Sequence, residues 1–120
     1  MRFPADPAWI SRSRRAVTRE AQEAGASGHA LRIVALLTSE AVANAVVHGP
    51  SDGEVSVDVL AHDGVLRVGV HDQSTRLPVR REVQVTAHGG RGVMLIDRLS
   101  RRWGVDRDPD GKTVWFEVSL

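Results

Sequence analysis

The sequence predicts an α+β fold in which a layer of helices packs on a layer of strands. Two helix-length segments with clear terminal signals come first, and two β-hairpins with alternating patterns follow, separated by a third helix. Strands do not alternate regularly with helices, as they do in doubly wound parallel folds. We therefore expect a two-layer sandwich with a mixed but mostly antiparallel sheet and helices on one face.

Two helices are expected in the N-terminal half. The first covers residues 6–24, because an Asp-Pro pair at its start has the residue types of an N-cap and a first helical position. The second covers residues 29–48, because a Gly-Pro pair follows it directly and ends it.

Strands dominate the rest of the chain. Alternating valines predict a β-hairpin over residues 55–70 with a turn at 62–64. Residues 73–90 have no such pattern and are expected to form a long irregular loop, a feature that is often functional in compact domains. A third helix is expected over residues 92–102, and a second hairpin over 103–120 closes the chain.

Composition narrows the class of protein. A length of 120 residues suits one domain, expected to span residues 1–120. The net charge of +1 gives little long-range attraction to a phosphate backbone, which argues against nucleic-acid binding. The absence of cysteine excludes a thiolate metal site and fits a cytoplasmic location. No segment is expected to be apolar enough to span a membrane, and no signal peptide is apparent.

Three polar residues of the second helix stand on or beside its apolar face. Glu40, Asn44 and His48 are spaced one turn apart, within about 60° of Leu37 on a helix of 100° per residue. Burying a carboxylate and an amide without partners is costly. These side chains either bond to loop backbone and hold the fold, or line a cavity. Three of them in register favour a ligand cavity.

Two further features lie downstream. Asp72 ends the second strand of the first hairpin, where a single carboxylate most often forms a turn. Gly90, Arg91 and Gly92 open the third helix, where glycines let backbone N–H groups face an anion and the helix field favours it. Each feature is weak evidence when taken alone.

Taken in order, these segments resemble the motifs of the histidine-kinase-like ATPases, the GHKL or Bergerat-fold superfamily. Residues 40–48 resemble the N-box, Asp72 stands where the G1 box has its aspartate, and residues 90–92 resemble the G2 box. The resemblance implies a Bergerat-type two-layer sandwich with ATP and Mg²⁺ as cofactors.

Both ends of the chain are similar to one branch of that superfamily, the anti-sigma factor serine/threonine kinases of bacteria. At the start these are residues 3–7 and the Arg14-Arg15 pair; at the end they are residues 103–104 and 111–116. The resemblance therefore covers nearly the whole chain. It implies a kinase that phosphorylates an anti-anti-sigma antagonist and otherwise binds a sigma factor, and it makes a homodimer plausible.

The resemblance also implies roles for the helix residues. Asn44 would coordinate the Mg²⁺ that bridges the ATP phosphates, since an amide oxygen is a hard ligand. Glu40 would be the general base that takes the proton of the attacking hydroxyl. His48 stands at the third N-box position, without a role assigned to it.

The remaining positions would hold the base and the phosphates. The resemblance implies that Asp72 accepts a hydrogen bond from the adenine amino group and that Thr113 supports this contact. Gly90 and Gly92 would let the backbone approach the phosphates, and Arg91 would add positive charge there.

The sequence departs from the superfamily after Asp72, where Gln73-Ser74-Thr75 replaces the usual Gly-x-Gly. Two functions therefore remain open. The chain is an ATP-dependent serine/threonine kinase, or it is a non-catalytic module of the same fold that captures a sigma factor or an antagonist with nucleotide optional.

Overall fold

Helices and strands form separate layers in the computed structural model, which describes residues 1–74 and 88–120, and side chains at all of these except 88–93. In chain order, the elements of this described part are β1 (Arg2–Pro4), α1 (Ala8–Glu23), α2 (Gly28–His48), β2 (Glu54–His62), β3 (Val65–Asp72), α3 (His88–Leu99), β4 (Arg102–Asp108) and β5 (Gly111–Ser119). The α+β sandwich predicted from the sequence is confirmed.

The strands form one sheet in the order β1-β2-β3-β5-β4, with every neighbouring pair antiparallel. The central pair joins strands that are separated in sequence by α3 and β4. Its register sets Val68 opposite Phe116 and, at the end of β3, Asp72 opposite Lys112. This pairing brings two charged residues together at one end of the sheet.

The core lies between the sheet and the helices. On β3, buried residues alternate with half-buried ones from Leu66 to Asp72, as expected of a strand covered on one face. On β5 the same alternation buries Val114, Phe116 and Val118. The helix α2 occupies the centre of its layer, since it packs against α1, α3 and the strands β3 and β5.

The helix α2 is long and apolar enough to meet the usual criteria for a membrane span, contrary to the expectation that no segment would be. In this fold, its apolar residues Val34, Leu37, Ala41 and Val42 are buried in the core. The high hydropathy of α2 therefore accords with its position at the centre of the helical layer.

Several boundaries differ from the prediction. The helix α1 begins at Ala8 with Pro7 as its N-cap, so the predicted N-cap at Asp6 is one residue early. The Asp6 carboxylate still accepts a hydrogen bond from the Ala8 N–H at 2.8 Å. The helix α3 begins at His88, before the expected position 92. The strand β1 was missed because three residues are too few to show a period. The loop predicted over 73–90 lies largely at 75–87, outside the described residues.

Candidate functional site

A buried amide without a partner lies in the C-terminal half of α2. Asn44 is only 3% exposed, and its Oδ1 atom has no hydrogen-bond partner within the described part of the chain. Such an atom loses its hydrogen bonds to water on folding and regains none, which costs about 1–3 kcal/mol. This position is therefore unfavourable for the fold unless a bound molecule, either a ligand or an ordered water, supplies the missing contact.

The stripe of α2 that carries Asn44 faces α3. Ile33, Glu40 and Asn44 lie within about 40° of one another on a helix of 100° per residue. Ile33 lines a cleft together with Leu99 of α3, which fixes the direction of the stripe. Glu40 is half-buried on this stripe, one turn before Asn44. Two of the predicted site residues are thus brought to the same side of the helix.

Asp72 lies against the end of α2. Gly49 follows the last helical residue, His48, and a Cβ atom built on Gly49 would lie 3.4 Å from the Asp72 Cβ atom and 2.7 Å from the carbonyl oxygen of Ala45. Glycine at this position therefore allows close contact between the helix end and the strand end. The fold places Asp72 at the end of α2 that carries Asn44 and the half-buried His48.

The Asp72 carboxylate is already bound by a lysine. The Nζ atom of Lys112 lies 3.0 Å from Asp72 Oδ1 and 2.8 Å from Oδ2, and the Ser74 N–H donates to Oδ1 at 2.7 Å. The Lys112 and Asp72 side chains are only 1% and 2% exposed. This is a buried ion pair at the position where the sequence predicts a base-binding carboxylate.

Glycine is required next to this pair. Gly111 has φ +154°, and a Cβ atom there would overlap the carbonyl oxygen of Asp72. The start of β5 is thus pressed against the end of β3, which sets Lys112 directly opposite Asp72. The sequence contained a signal for this residue, since position 112 is two residues before the inward-facing Val114 and belongs to the same face.

Thr113 is not where the sequence prediction needs it. It pairs with His71, and its Cγ2 atom packs near Gly69, beside Trp115 on the sheet face away from the helices. Adjacent strand residues point to opposite faces, so Thr113 and Asp72 lie on different sides of the sheet. The expected contact of Thr113 with the Asp72 site is therefore wrong, and the β5 side chain that contacts the Asp72 carboxylate is Lys112.

Gly90, Arg91 and Gly92 lie within the first turns of α3 instead of in a loop before it. Backbone N–H groups in the first turn of a helix have no intrahelical partner and can bind an anion. The side chain of Arg91 is not among those described. The phosphate-binding role of these residues stays a prediction.

Comparison with known proteins shows to which family this chain belongs. The model of the histidine kinase-like ATPase domain matches residues 3–118. The serine-protein kinase RsbW of Listeria monocytogenes is 30% identical over 114 residues, which cover 82% of this chain and 73% of that protein. RsbW of Listeria innocua is 29% identical over the same length.

Comparison with solved structures shows the same fold in other proteins. The RsbU and RsbW domains of Rv1364c from Mycobacterium tuberculosis match with a TM-score of 0.72 at 21% identity, covering 100% of this chain and 32% of that one. The histidine kinase domain of the blue-light activated kinase EL346 from Erythrobacter litoralis matches with a TM-score of 0.61 at 24% identity, covering 98% and 62%. These likenesses show the fold, and the family match confirms the resemblance seen in the sequence. The chain belongs to the histidine kinase-like ATPase domain family.

Proposed function

We propose that this chain binds ATP with Mg²⁺ beside the C-terminal half of α2 and transfers the terminal phosphoryl group to a serine or threonine of a protein substrate. The buried, unpartnered Oδ1 atom of Asn44 is the observation that carries the proposal. Membership of the ATPase family and the similarity to proteins named serine-protein kinase support it.

The residues present fit a magnesium ion. Asn44 offers an amide oxygen, a hard ligand of the kind that Mg²⁺ prefers. The described residues include no group of three or more histidine, aspartate or glutamate side chains that could hold a metal by themselves. An ion at Asn44 would thus take its other ligands from phosphates and water, as Mg²⁺ commonly does.

The chemistry assigned to the chain is positioning and proton transfer. When bound, ATP with Mg²⁺ supplies the phosphoryl group and neutralises part of its charge. Asn44 holds the ion through Oδ1, and Glu40, one turn earlier on the same stripe, accepts the proton of the attacking hydroxyl. Glu40 is half-buried, so its carboxylate can meet a substrate at the rim of the site.

The nucleotide would extend from Asp72 to the start of α3. The Asp72 carboxylate accepts a hydrogen bond from the adenine amino group, and the backbone at Gly90 and Gly92 faces the phosphates. His48 lies in the last turn of α2, between Asn44 and Asp72 along the chain, and borders the nucleotide.

The resemblance to anti-sigma factor kinases supplies the partners of this proposal. They are an anti-anti-sigma antagonist as phosphoryl acceptor and a sigma factor as the protein held in its absence, in the cytoplasm of a bacterium. A second copy of the chain, forming a homodimer, belongs to the same proposal.

Phosphoryl transfer from radiolabelled ATP to a candidate antagonist tests the activity. We expect the wild-type chain to label the antagonist and Glu40→Gln to lower the rate by about 10²–10⁴-fold, the usual contribution of a general base. Glu23→Gln removes an exposed carboxylate from the end of α1 and serves as the matched control, with an unchanged rate. Wild-type labelling by Glu40→Gln would contradict the assignment of the base.

One observation favours the second function, a binding module with nucleotide optional. The carboxylate expected to read the base is occupied by Lys112. If capture is the sole function, a sigma factor or antagonist co-purifies with the chain equally well with and without ATP. Dependence of every complex on ATP would exclude this second function.

A further inference from the structure

We propose that Lys112 competes with the nucleotide base for the Asp72 carboxylate and thereby lowers the affinity of this chain for ATP. The proposal rests on the proposed function, which assigns Asp72 to the adenine amino group. It goes beyond that function by naming Lys112, which lies outside the stripe of Glu40 and Asn44, as a residue that sets the affinity for ATP.

The first argument for competition is that the Asp72 carboxylate already accepts several hydrogen bonds. A carboxylate has about four lone-pair positions. Lys112 Nζ contacts both oxygens, at 3.0 and 2.8 Å, and the Ser74 N–H uses Oδ1 as well. An amino group that approaches Asp72 therefore finds three of about four positions taken, with one left on Oδ2. It would then share the negative charge of the carboxylate with the Lys112 ammonium, which weakens both contacts.

The second argument for competition is the burial of the Lys112 and Asp72 side chains. Neither Lys112 nor Asp72 presents more than 2% of its side chain to solvent, so no water is at hand to take over a broken contact. The register of β3 and β5 and the close approach at Gly111 hold the two residues opposite each other. Separating a buried pair leaves a charge uncompensated, which is strongly unfavourable. Base binding at Asp72 thus works against an existing ion pair.

Calorimetric titration with Mg²⁺-ATP tests the competition on the full chain. Lys112→Met removes the ammonium and keeps most of the volume, so Asp72 becomes free to accept. We expect the Kd to fall by about tenfold or more relative to wild type, the equivalent of one charge-assisted hydrogen bond gained.

Arg107→Met is the matched control. Arg107 is the cross-strand partner of Lys112 on β4, carries the same charge and is exposed. If only the net charge of this hairpin mattered, removal of one positive charge would leave the affinity for ATP unchanged or slightly lower. Tighter binding that is confined to the Lys112 variant therefore reports competition for Asp72 instead of a change in overall charge.

A second measurement needs no variant, because Lys112 is the only lysine of the chain. Amine acetylation of the wild-type protein, followed by peptide mass mapping, reports its accessibility directly, with the Met1 amine as the internal reference. We expect Lys112 to be protected without nucleotide and to be acetylated at least several-fold faster in saturating ATP. This reading stands if Lys112→Met fails to fold.

The outcomes separate the two proposals. ATP binding of equal affinity by wild type and Lys112→Met, with Lys112 protected throughout, would overturn the competition and leave the ATP site standing. Binding by the variant alone would support the competition in its strongest form. Failure of both proteins to bind, with no change in acetylation, would overturn the competition together with the ATP site.

Discussion

The two halves of α2 differ in what they bury. The N-terminal half places Val34 and Leu37 in the core, as a central helix of a sandwich should. The C-terminal half keeps small apolar residues there but also buries Asn44 and half-buries Glu40. Both halves belong to one helix. The difference teaches that apolar packing accounts for most of the first half, whereas the ligand that we propose would satisfy the buried amide of the second half.

The sheet repeats this contrast. In the middle of β3 and β5, the inward residues are apolar, as in the pair of Val68 and Phe116. At the end near the last turn of α2, the inward pair is Asp72 and Lys112. Asn44, Asp72 and Lys112, three of the buried polar side chains, thus lie toward the same end of the fold.

The largest effect is expected at this polar end. Asp72→Asn leaves the buried Lys112 ammonium without its counter-ion, so the free energy of unfolding should fall by about 3–5 kcal/mol in urea denaturation. Adding Lys112→Met should restore most of that loss. Glu54→Gln, at the exposed ion pair with Arg2, is the control and should change stability by less than about 1 kcal/mol. Equal losses at both pairs would contradict the difference in burial.

The apolar half responds through packing alone. Leu37 is fully buried, so Leu37→Ala should lower the free energy of unfolding by about 2–5 kcal/mol through lost contacts and a cavity. The affinity of the folded fraction for ATP should stay unchanged, as measured by calorimetry well below the melting temperature. A parallel loss of affinity would mean that the two halves do not act separately.

Asn44→Leu exchanges a buried amide for an apolar side chain of similar shape. We expect the free energy of unfolding to rise by about 1–2 kcal/mol, because an unsatisfied oxygen is removed. We expect Mg²⁺-dependent nucleotide binding to be lost at the same time. A variant that is less stable than wild type would show that Asn44 holds the fold instead of a ligand.

Thr38→Val sharpens the comparison because Thr38 is the buried polar exception in the apolar half. Its hydroxyl oxygen also lacks a hydrogen-bond partner among the described residues, but it lies more than 90° around the helix from Asn44. We expect a gain of about 1 kcal/mol in denaturation and no change in ATP affinity. A change in the affinity for ATP would mean that the nucleotide site also includes the core-facing side of α2, where Thr38 lies.

Much of the fold could be predicted because its signals are local. Neighbouring residues alone indicate several elements. They are the Asp-Pro pair at the start of α1, the Gly-Pro pair at the end of α2 and the alternating valines of β2 and β3. Strand β1 has three residues and depends on pairing with β2, which no local pattern encodes. The pairing of β3 with β5 is likewise set by contacts between distant segments.

The candidate site was predicted in part for the same reason. Helical spacing alone set Glu40 and Asn44 on one stripe, and the structure agrees. The ion pair of Asp72 with Lys112 depends on the register between two strands, and a shift of one residue exchanges Lys112 for Thr113 on the inner face. The sequence prediction chose Thr113, and the antiparallel register corrects it.

The most direct test of this account is the Mg²⁺ dependence of ATP binding. Calorimetric titrations of wild type, Thr38→Val and Asn44→Leu, each with Mg²⁺ and with a chelator, compare the two buried polar positions of α2. The account predicts that Mg²⁺ tightens ATP binding to wild type and Thr38→Val and has no effect on Asn44→Leu. An equal effect of Mg²⁺ on all three proteins would contradict the assignment of Asn44 to the metal.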